Sequence, residues 1–257
     1  SVFPTQSSSA TFISPETAAE YETAPTQTPP PTPAATTSDL LRSEIPEQQP
    51  LKSIETSSRI REVKDPNSYA ALVYDPPNVD TMSDLPPLLL VLHGAAQNQE
   101  PSLWKAMASP SGEHAGLPMQ LLASNTAPVE LAANFCVASP YSLGKSSFYQ
   151  DPRDKMLRFL QYLASQQILT FDPTRIFLFG FSDGATEAIE LATSRKFRGA
   201  IVASYGFTGP SLPFMALMRL EGLAFWVFHA ADDVIFNVEN SDRLVTALRE
   251  TNRVPSR

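Results

Sequence analysis

A serine placed between two glycines is the feature of this sequence that most directly suggests chemistry. Gly180-Phe181-Ser182-Asp183-Gly184 has one glycine two residues before the serine and one two residues after it. A serine hydroxyl attacks a carbonyl carbon only when its oxygen is exposed, and a sharp turn between a strand and a helix exposes it. Crowding around such a turn favours glycine at both flanking positions. The spacing therefore predicts a nucleophile at Ser182.

The segment His93–Gln97, with the sequence HGAAQ, has residues that could stabilise the negative oxygen created by such an attack. Acyl transfer needs two N–H donors directed at that oxygen. We expect these donors to be the backbone N–H of Asp183 and the backbone N–H of Ala95. Gly94, beside this small residue, lets the backbone approach a substrate closely. An ordinary turn after a strand is the alternative interpretation of the segment.

An acidic pair, Asp232 and Asp233, follows the strand-like run Leu223–Phe228. A carboxylate at the carboxyl end of a strand can orient a histidine that takes the proton from a nucleophile. The serine, the glycine-containing segment and this acid all follow strand-like runs. Open α/β sheets place their sites at these strand ends, so the agreement supports a common site. A solvated Asp-Asp turn is the alternative.

Strand-like and helix-like runs alternate after Ile60, which predicts a mainly parallel sheet with helices on both faces. The run Leu88–Leu92 is apolar throughout, as expected for a strand that is covered on both faces. We expect Trp226, within the last of these runs, to belong to the core. The predicted strands are Ser68–Tyr74, Leu88–Leu92, Asn134–Ala138, Arg175–Phe179, Arg198–Ser204 and Leu223–Phe228. The predicted helices begin near Asp151, Asp183 and Glu239.

The first 59 residues differ in composition from the rest of the chain. Nine prolines fall within the first fifty residues, glycine is absent, and apolar residues are sparse. Such a segment cannot bury enough apolar surface to offset chain entropy. We predict a disordered tail or linker over residues 1–59 and a catalytic domain over residues 60–257. An O-glycosylated stalk or a targeting segment is the alternative for the first part.

Composition excludes several classes of partner and cofactor. The net charge of −8 argues against binding to nucleic acid or to anionic membrane surfaces, and no apolar run is long enough to span a bilayer. A single cysteine, Cys136, excludes an internal disulfide and a multi-cysteine metal site. Because the sequence has no phosphate loop, zinc spacing or dinucleotide fingerprint, we expect no metal and no cofactor. The absence of an Asn-x-Ser/Thr triplet favours the cytoplasm, and the oligomeric state stays open.

The segments LLLVLHGAA, RIFLFGFSDG and WVFHAADDVI, in this order, resemble those of α/β-hydrolase esterases, in particular the phospholipase/carboxylesterase-like and polyester-depolymerase-like branch. The resemblance covers about residues 69 to 249. It implies the α/β-hydrolase fold, a nucleophile at Ser182 and oxyanion donors at Ala95 and Asp183. In that family the acid lies four residues after a histidine that ends the strand, which implies Asp233 rather than Asp232.

The histidines depart from the pattern of that family. Its chain order is serine, acid, histidine, and no histidine follows Asp233 in this sequence. By the resemblance, His93 shapes the oxyanion loop and His229 ends the strand of the acid, while His114 lies in a polar loop. We therefore expect the catalytic histidine, together with the last strand and the last helix, to lie outside these 257 residues.

These features predict hydrolysis of a carboxylic ester, in a small molecule or a polymer, through an acyl-enzyme on Ser182. The alternatives are a peptidase with the same groups and a hydrolase-like binding protein that has no base; a histidine beyond Arg257 would favour the enzyme. Aromatic residues after the strands either form a substrate pocket or pack under loops. These aromatic residues are Tyr141, Phe148, Tyr149, Tyr205 and Phe207.

Overall fold

A seven-stranded sheet with the order β1-β2-β4-β3-β5-β6-β7 organises the computed structural model. The structure describes residues 54–77, 79–109, 117–142, 144, 148, 151–206, 220 and 222–251. Strand β2 runs antiparallel to both of its neighbours, and all other neighbouring strands are parallel. The strands are β1 (Ile60–Lys64), β2 (Ala70–Tyr74), β3 (Leu88–Leu92), β4 (Cys136–Tyr141), β5 (Ile176–Phe181), β6 (Gly199–Ala203) and β7 (Ala224–Phe228).

Helices cover both faces of this sheet, as the alternating runs predict. On one face lie α4, α5 and α6, and on the other lie α1, α2 and α3. The helices are α1 (Leu103–Ala108), α2 (Pro118–Ala123), α3 (Val129–Asn134), α4 (Arg153–Ser165), α5 (Asp183–Ala192) and α6 (Glu239–Thr251). Short 3-10 helices span Ser57–Arg59, Val79–Thr81 and Ala95–Gln99.

Strand β3 shows why its sequence is apolar at every position. All five of its residues are buried. Leu88, Leu90 and Leu92 pack with α4 and α5, whereas Leu89 and Val91 pack with α1 and α2. Successive side chains point to opposite faces of a sheet, so a central strand between two helical layers needs an apolar residue at each position.

Several element boundaries differ from those predicted. The strand predicted from Asn134 begins at Cys136, because Asn134 ends α3 and Phe135 is the extended residue that joins the helix to the strand. Strand β1 and the helices α1, α2 and α3 were not predicted. Each of those three helices has only six residues, which is too short for a helical period of apolar positions to stand out.

The described fold begins before Ile60. Thr56 is buried, and its backbone N–H donates to Oδ1 of Asn125 at 2.8 Å. The hydroxyl of Thr56 donates to the carbonyl oxygen of Leu122 in α2. Thr56 and Ser57, which the sequence assigned to the tail, therefore pack against the end of α2.

The expectation that Trp226 lies in the core is wrong. Trp226 is 68% exposed and Phe228 is 55% exposed. Both side chains lie on the same face of β7, while Phe225 and Val227 point to the opposite face and pack against the core. Within the described residues β7 is the last strand of the sheet, and α1, α2 and α3 do not extend over this end of their face.

Two further features are absent from the part of the chain that the structure describes. Its longest helices, α4 and α6, have thirteen residues each, and none there has the length and apolarity needed to cross a membrane. The same residues contain no group of three or more His, Cys, Asp or Glu side chains that could hold a metal ion.

Candidate active site

Ser182 occupies a sharp turn between β5 and α5, as its sequence context predicts. Its backbone has φ 55° and ψ −115°, a conformation that non-glycine residues rarely adopt. Its N–H donates to the carbonyl oxygen of Ala203 at 2.9 Å, which ties the turn to β6. The hydroxyl does not cap α5, and the residue is only half-buried. The backbone therefore leaves this hydroxyl available to a molecule at the carboxyl ends of the strands.

The two glycines around Ser182 are required by close backbone contacts. A Cβ atom on Gly180 would lie 2.2 Å from the carbonyl oxygen of Gly184. A Cβ atom on Gly184 would lie 2.2 Å from the carbonyl oxygen of Leu92 in β3. Neither carbonyl can move without moving a strand or a helix. The spacing of the motif thus follows from the packing of α5 against β3 and β5.

The segment after β3 lies directly beside Ser182. A Cβ atom on Gly94 would lie 3.3 Å from the Cβ of Ser182 and 3.1 Å from the Cδ1 of Phe181. Ala95 is the first residue of a 3-10 helix, and Asp183 is the first residue of α5. The first N–H groups of a helix have no partner inside that helix. The two predicted donors are therefore on segments that flank Ser182.

His93 is fully buried, and both of its ring nitrogens are engaged. Nε2 accepts a hydrogen bond from the backbone N–H of Ser142 at 3.1 Å. Because that nitrogen is the acceptor, the ring proton lies on Nδ1, which donates to the carbonyl oxygen of Gly94 at 2.7 Å. His93 thus links the end of β3 to the end of β4 and holds the Gly94 peptide.

His229 is also engaged at both ring nitrogens. Nε2 lies 2.9 Å from the carbonyl oxygen of Phe236 and 3.2 Å from Oδ2 of Asp233, and both of these oxygens accept. Nδ1 lies 2.7 Å from the hydroxyl oxygen of Ser241, which donates to it. His114 lies outside the described residues. Neither described histidine has a ring nitrogen left for the proton of a nucleophile.

Asp233 is held in one orientation after β7. Its Oδ1 accepts from the backbone N–H groups of Ile235 and Phe236 at 2.9 Å and 3.0 Å. The hydrogen bond from Phe236 is the largest cause that lowers the pKa of Asp233 below its usual value. Ile235, His229 and the side chain of Ser204 lower this pKa further, while burial opposes the shift. The carboxylate is therefore ionised at neutral pH.

Three of the five aromatic residues predicted near a substrate pocket lie in the interior. Tyr141, Phe148 and Tyr205 are buried, and burial raises the pKa of Tyr205 to about 12. Tyr149 and Phe207 lie outside the described residues. The interior placement agrees with packing under loops, the alternative that the sequence left open.

The contacts of two of these rings support the segment after β3. The hydroxyl of Tyr141 donates to the carbonyl oxygen of Gln97 at 2.9 Å and also to that of Glu100. The ring of Phe148 packs on that of His93, with centroids 4.6 Å apart. Sequence patterns gave no signal for either contact, because both depend on how the chain folds back on itself.

An apolar cleft of about 580 Å³ lies away from Ser182. Its floor includes Phe177 and Phe179 of β5, Ile201 of β6 and Trp226 of β7, and its wall comes from α2 and α3. No pattern in the sequence predicts this cleft. It lies on the sheet face that α1, α2 and α3 cover only in part.

Comparisons with known proteins address the fold. No protein-family model matches the chain, and no curated protein sequence matches it. A thermostable esterase structure is 21% identical, covers 77% of this chain and has a TM-score of 0.57. The chain spans only 53% of that structure. The carboxylesterase Cest-2923 from Lactobacillus plantarum WCFS1 is 15% identical over 75% of this chain and 78% of its own, with a TM-score of 0.51.

A third structure, the enzyme MGS-M1 from a Medee basin deep-sea metagenome library, is 19% identical over 75% of this chain and 77% of its own, with a TM-score of 0.49. At these identities the similarity concerns the arrangement of helices and strands. The similarity to the thermostable esterase and to Cest-2923 therefore shows the fold of this chain and does not identify its chemistry.

Proposed function

We propose that this chain, which has the α/β-hydrolase fold predicted from its sequence, is a serine hydrolase that cleaves carboxylic esters. The observation that carries the proposal is the backbone of Ser182, with φ 55° and ψ −115° between β5 and α5. A turn of this kind directly after a strand and before a helix is the context in which a G-x-S-x-G serine acts as a nucleophile. Strain of this kind persists where the surrounding packing enforces it, and it concentrates at functional sites.

In the proposed reaction, the hydroxyl oxygen of Ser182 forms a bond to the carbonyl carbon of the ester. The carbonyl oxygen becomes negative and is stabilised by the backbone N–H groups of Ala95 and Asp183. Loss of the alcohol leaves an acyl group on Ser182, which water then removes. The serine proton passes to a base, for which we propose a histidine outside these 257 residues, oriented by Asp233.

The hydrogen bonds of Asp233 support its role as the acid. They keep the carboxylate ionised and fixed at the end of β7, whereas the neighbouring Asp232 is exposed. A charged and immobile carboxylate can orient a histidine and stabilise its protonated form. The family resemblance favours the same residue of the pair.

The test uses imidazole as an external base together with an activated ester such as p-nitrophenyl acetate. We expect imidazole to accelerate acylation of Ser182 in a saturable manner. Acylation is measured by mass spectrometry of the intact protein and of its peptides. Ser182→Ala should abolish this acylation and also the labelling by a fluorophosphonate probe, because the attacking oxygen is gone.

Ser165→Ala is the matched control, since Ser165 is an exposed serine at the end of α4 and should react as the unmodified protein does. Acylation or probe labelling that persists in Ser182→Ala would remove the serine-hydrolase proposal.

A non-catalytic binding protein is the second candidate. It is favoured by one observation, namely that the ring nitrogens of both His93 and His229 are already engaged. The same experiment separates the two candidates. A chain that only binds should show no acylation of Ser182 at any imidazole concentration.

A further inference from the structure

We propose that the carboxylate of Asp183 is a positioning group for the oxyanion hole, acting on the Ala95 N–H through Phe148 and His93. This inference rests on the proposed function. It gives Asp183 two separate tasks, since its backbone N–H is one expected donor and its side chain supports the other. Three contacts, each between buried or half-buried groups, connect the carboxylate to the Ala95 peptide.

The first contact joins the turn after β5 to the segment after β4. The backbone N–H of Phe148 donates to Oδ2 of Asp183 at 3.2 Å. Hydrogen bonds to an ionised acceptor are stronger than those between neutral groups. Asp183 is also the first residue of α5, where the helix dipole stabilises a negative charge. The carboxylate therefore anchors Phe148 relative to Ser182.

The second contact carries this position to His93. The rings of Phe148 and His93 pack with centroids 4.6 Å apart, and both residues are almost completely buried. Tyr69 packs against the ring of Phe148 with centroids 5.8 Å apart. Close-packed interiors leave no room for one ring to shift without displacing its neighbours. The ring of Phe148 thus supports the imidazole, in addition to the hydrogen bond that Nε2 accepts from the N–H of Ser142.

The third contact acts on the peptide of the donor itself, together with the N–H of Gln97, which also donates to the Gly94 oxygen at 3.3 Å. Nδ1 of His93 donates to the carbonyl oxygen of Gly94 at 2.7 Å, and that carbonyl belongs to the same peptide unit as the N–H of Ala95. The unit is planar, and in its trans form the C=O and N–H bonds point in opposite directions. Holding the Gly94 oxygen therefore directs the Ala95 N–H to the other side, where Gly94 approaches Ser182.

The chain of contacts predicts different results for two variants of Asp183. Asp183→Ala removes the acceptor for the Phe148 N–H, whereas Asp183→Asn retains an oxygen at the same position. Both variants lose the negative charge and keep the backbone N–H. We expect Asp183→Ala to reduce the limiting rate of Ser182 acylation by about 10- to 100-fold, because small displacements of an oxyanion donor have effects of this size. Asp183→Asn should stay within about threefold of the unmodified protein.

Acylation is measured with p-nitrophenyl acetate and imidazole, as a function of ester concentration. The half-saturating concentration should change by less than about threefold in both variants, because the donor acts on the transition state. Equal losses in the two variants would show that the charge matters and not the contact, which overturns the inference. Full activity of Asp183→Ala, in a preparation where Ser182→Ala is inactive, would also overturn it. Activity of Ser182→Ala itself would instead contradict the proposed function.

A second variant keeps the test decisive if Asp183→Ala does not fold. Phe148→Leu retains the backbone N–H and removes the aromatic contact with His93, so we expect a smaller loss of about 3- to 10-fold. The double variant Asp183→Asn/Phe148→Leu should fold and must show the same loss as Phe148→Leu alone. If both Asp183→Ala and Phe148→Leu fold, their effects should be less than additive, since both act through His93. Additive effects, or an unchanged rate in Phe148→Leu, would contradict the proposed route.

Discussion

Hydrogen-bond partners decide which residues of this site are available for proton transfer. Histidine is the residue type most often used as a base, yet both ring nitrogens of His93 and of His229 are already hydrogen-bonded within the protein. Asp233 shows the opposite case, in which hydrogen bonds keep a carboxylate charged and in place. Residue type alone does not show which of these side chains is already engaged.

Asp233→Asn should lower the Tm at pH 7 by roughly 2–6 °C, given about 2–4 °C for each kcal/mol in a protein of this size. The amide oxygen of asparagine still accepts from Ile235 and Phe236, so the loss reports the charge and the acceptor that Oδ2 offers to His229. The pKa of Asp233 is lower in the folded protein than in the unfolded chain, where it is about 3.9. The charged carboxylate therefore stabilises the fold at pH values above the unfolded pKa, and this stabilisation is lost as the pH falls through the folded pKa. Thermal melts of both proteins should therefore converge between pH 5 and pH 2.

Asp232→Asn is the matched control, because Asp232 carries the same charge in the next position but is exposed. Its Tm should stay within about 2 °C of the unmodified protein at every pH. Equal losses in the two variants would mean that general surface charge, and not the position of the Asp233 carboxylate, accounts for the effect.

At the scale of elements, the central strands and the helix after Ser182 could be predicted because their residue types are fixed by requirements that act within each segment. Strand β3 needs apolar residues on both faces, and the glycines flanking Ser182 are needed wherever α5 packs this closely. Strand β1 was missed because only one of its five residues, Ile60, is buried. The links among Asp183, Phe148 and His93 depend on contacts between distant parts of the chain, which no local pattern reports.

The same reasoning separates two glycine variants at this turn. Gly184→Ala should lower the Tm by at least about 5 °C or prevent folding, because its Cβ would lie 2.2 Å from a backbone oxygen. Gly94→Ala should lower the Tm by less than about 3 °C, since its φ of −79° suits alanine and its nearest neighbours are side-chain atoms 3.1 Å or more away. Its methyl group would face Ser182, so acylation should slow by about tenfold.

Thermal melts and the imidazole-dependent acylation assay measure both effects on the same preparations. A stable, fully folded Gly184→Ala protein would show that α5 does not pack on β3 as described. An unchanged acylation rate in Gly94→Ala would show that Gly94 does not approach Ser182 in solution.

At the scale of the whole molecule, the two faces of the sheet are covered unequally. On the face of α4, α5 and α6 the core extends across the sheet to β7, whereas the opposite face has the apolar cleft over β5, β6 and β7. The sequence of β7 is apolar at every position, which is why Trp226 was predicted to be buried. A local pattern records that a residue is apolar, but coverage depends on which elements lie above it.

Trp226→Ser should leave the Tm within about 2 °C of the unmodified protein, because a side chain 68% exposed contributes little packing. It should also reduce the binding of an apolar fluorescent dye such as ANS, since the cleft loses part of its aromatic floor. Phe159→Ala is the opposite control: this fully buried residue should cost about 3–5 kcal/mol in the free energy of unfolding. A large loss of stability in Trp226→Ser would show that this face is covered in solution.

The position of β7 at the edge of the described sheet has a consequence for the proposed acid. Strands β3 and β5 have hydrogen-bonded neighbours on both sides, whereas β7 pairs only with β6. Every other amide of β7 therefore points away from the ladder, and local opening of this strand breaks fewer hydrogen bonds than opening of the centre. Within the described residues, Ser182 follows a strand that is paired on both sides, and Asp233 follows a strand that is paired on one side. Where no further strand pairs with β7, we expect the position of Asp233 to fluctuate more than that of Ser182.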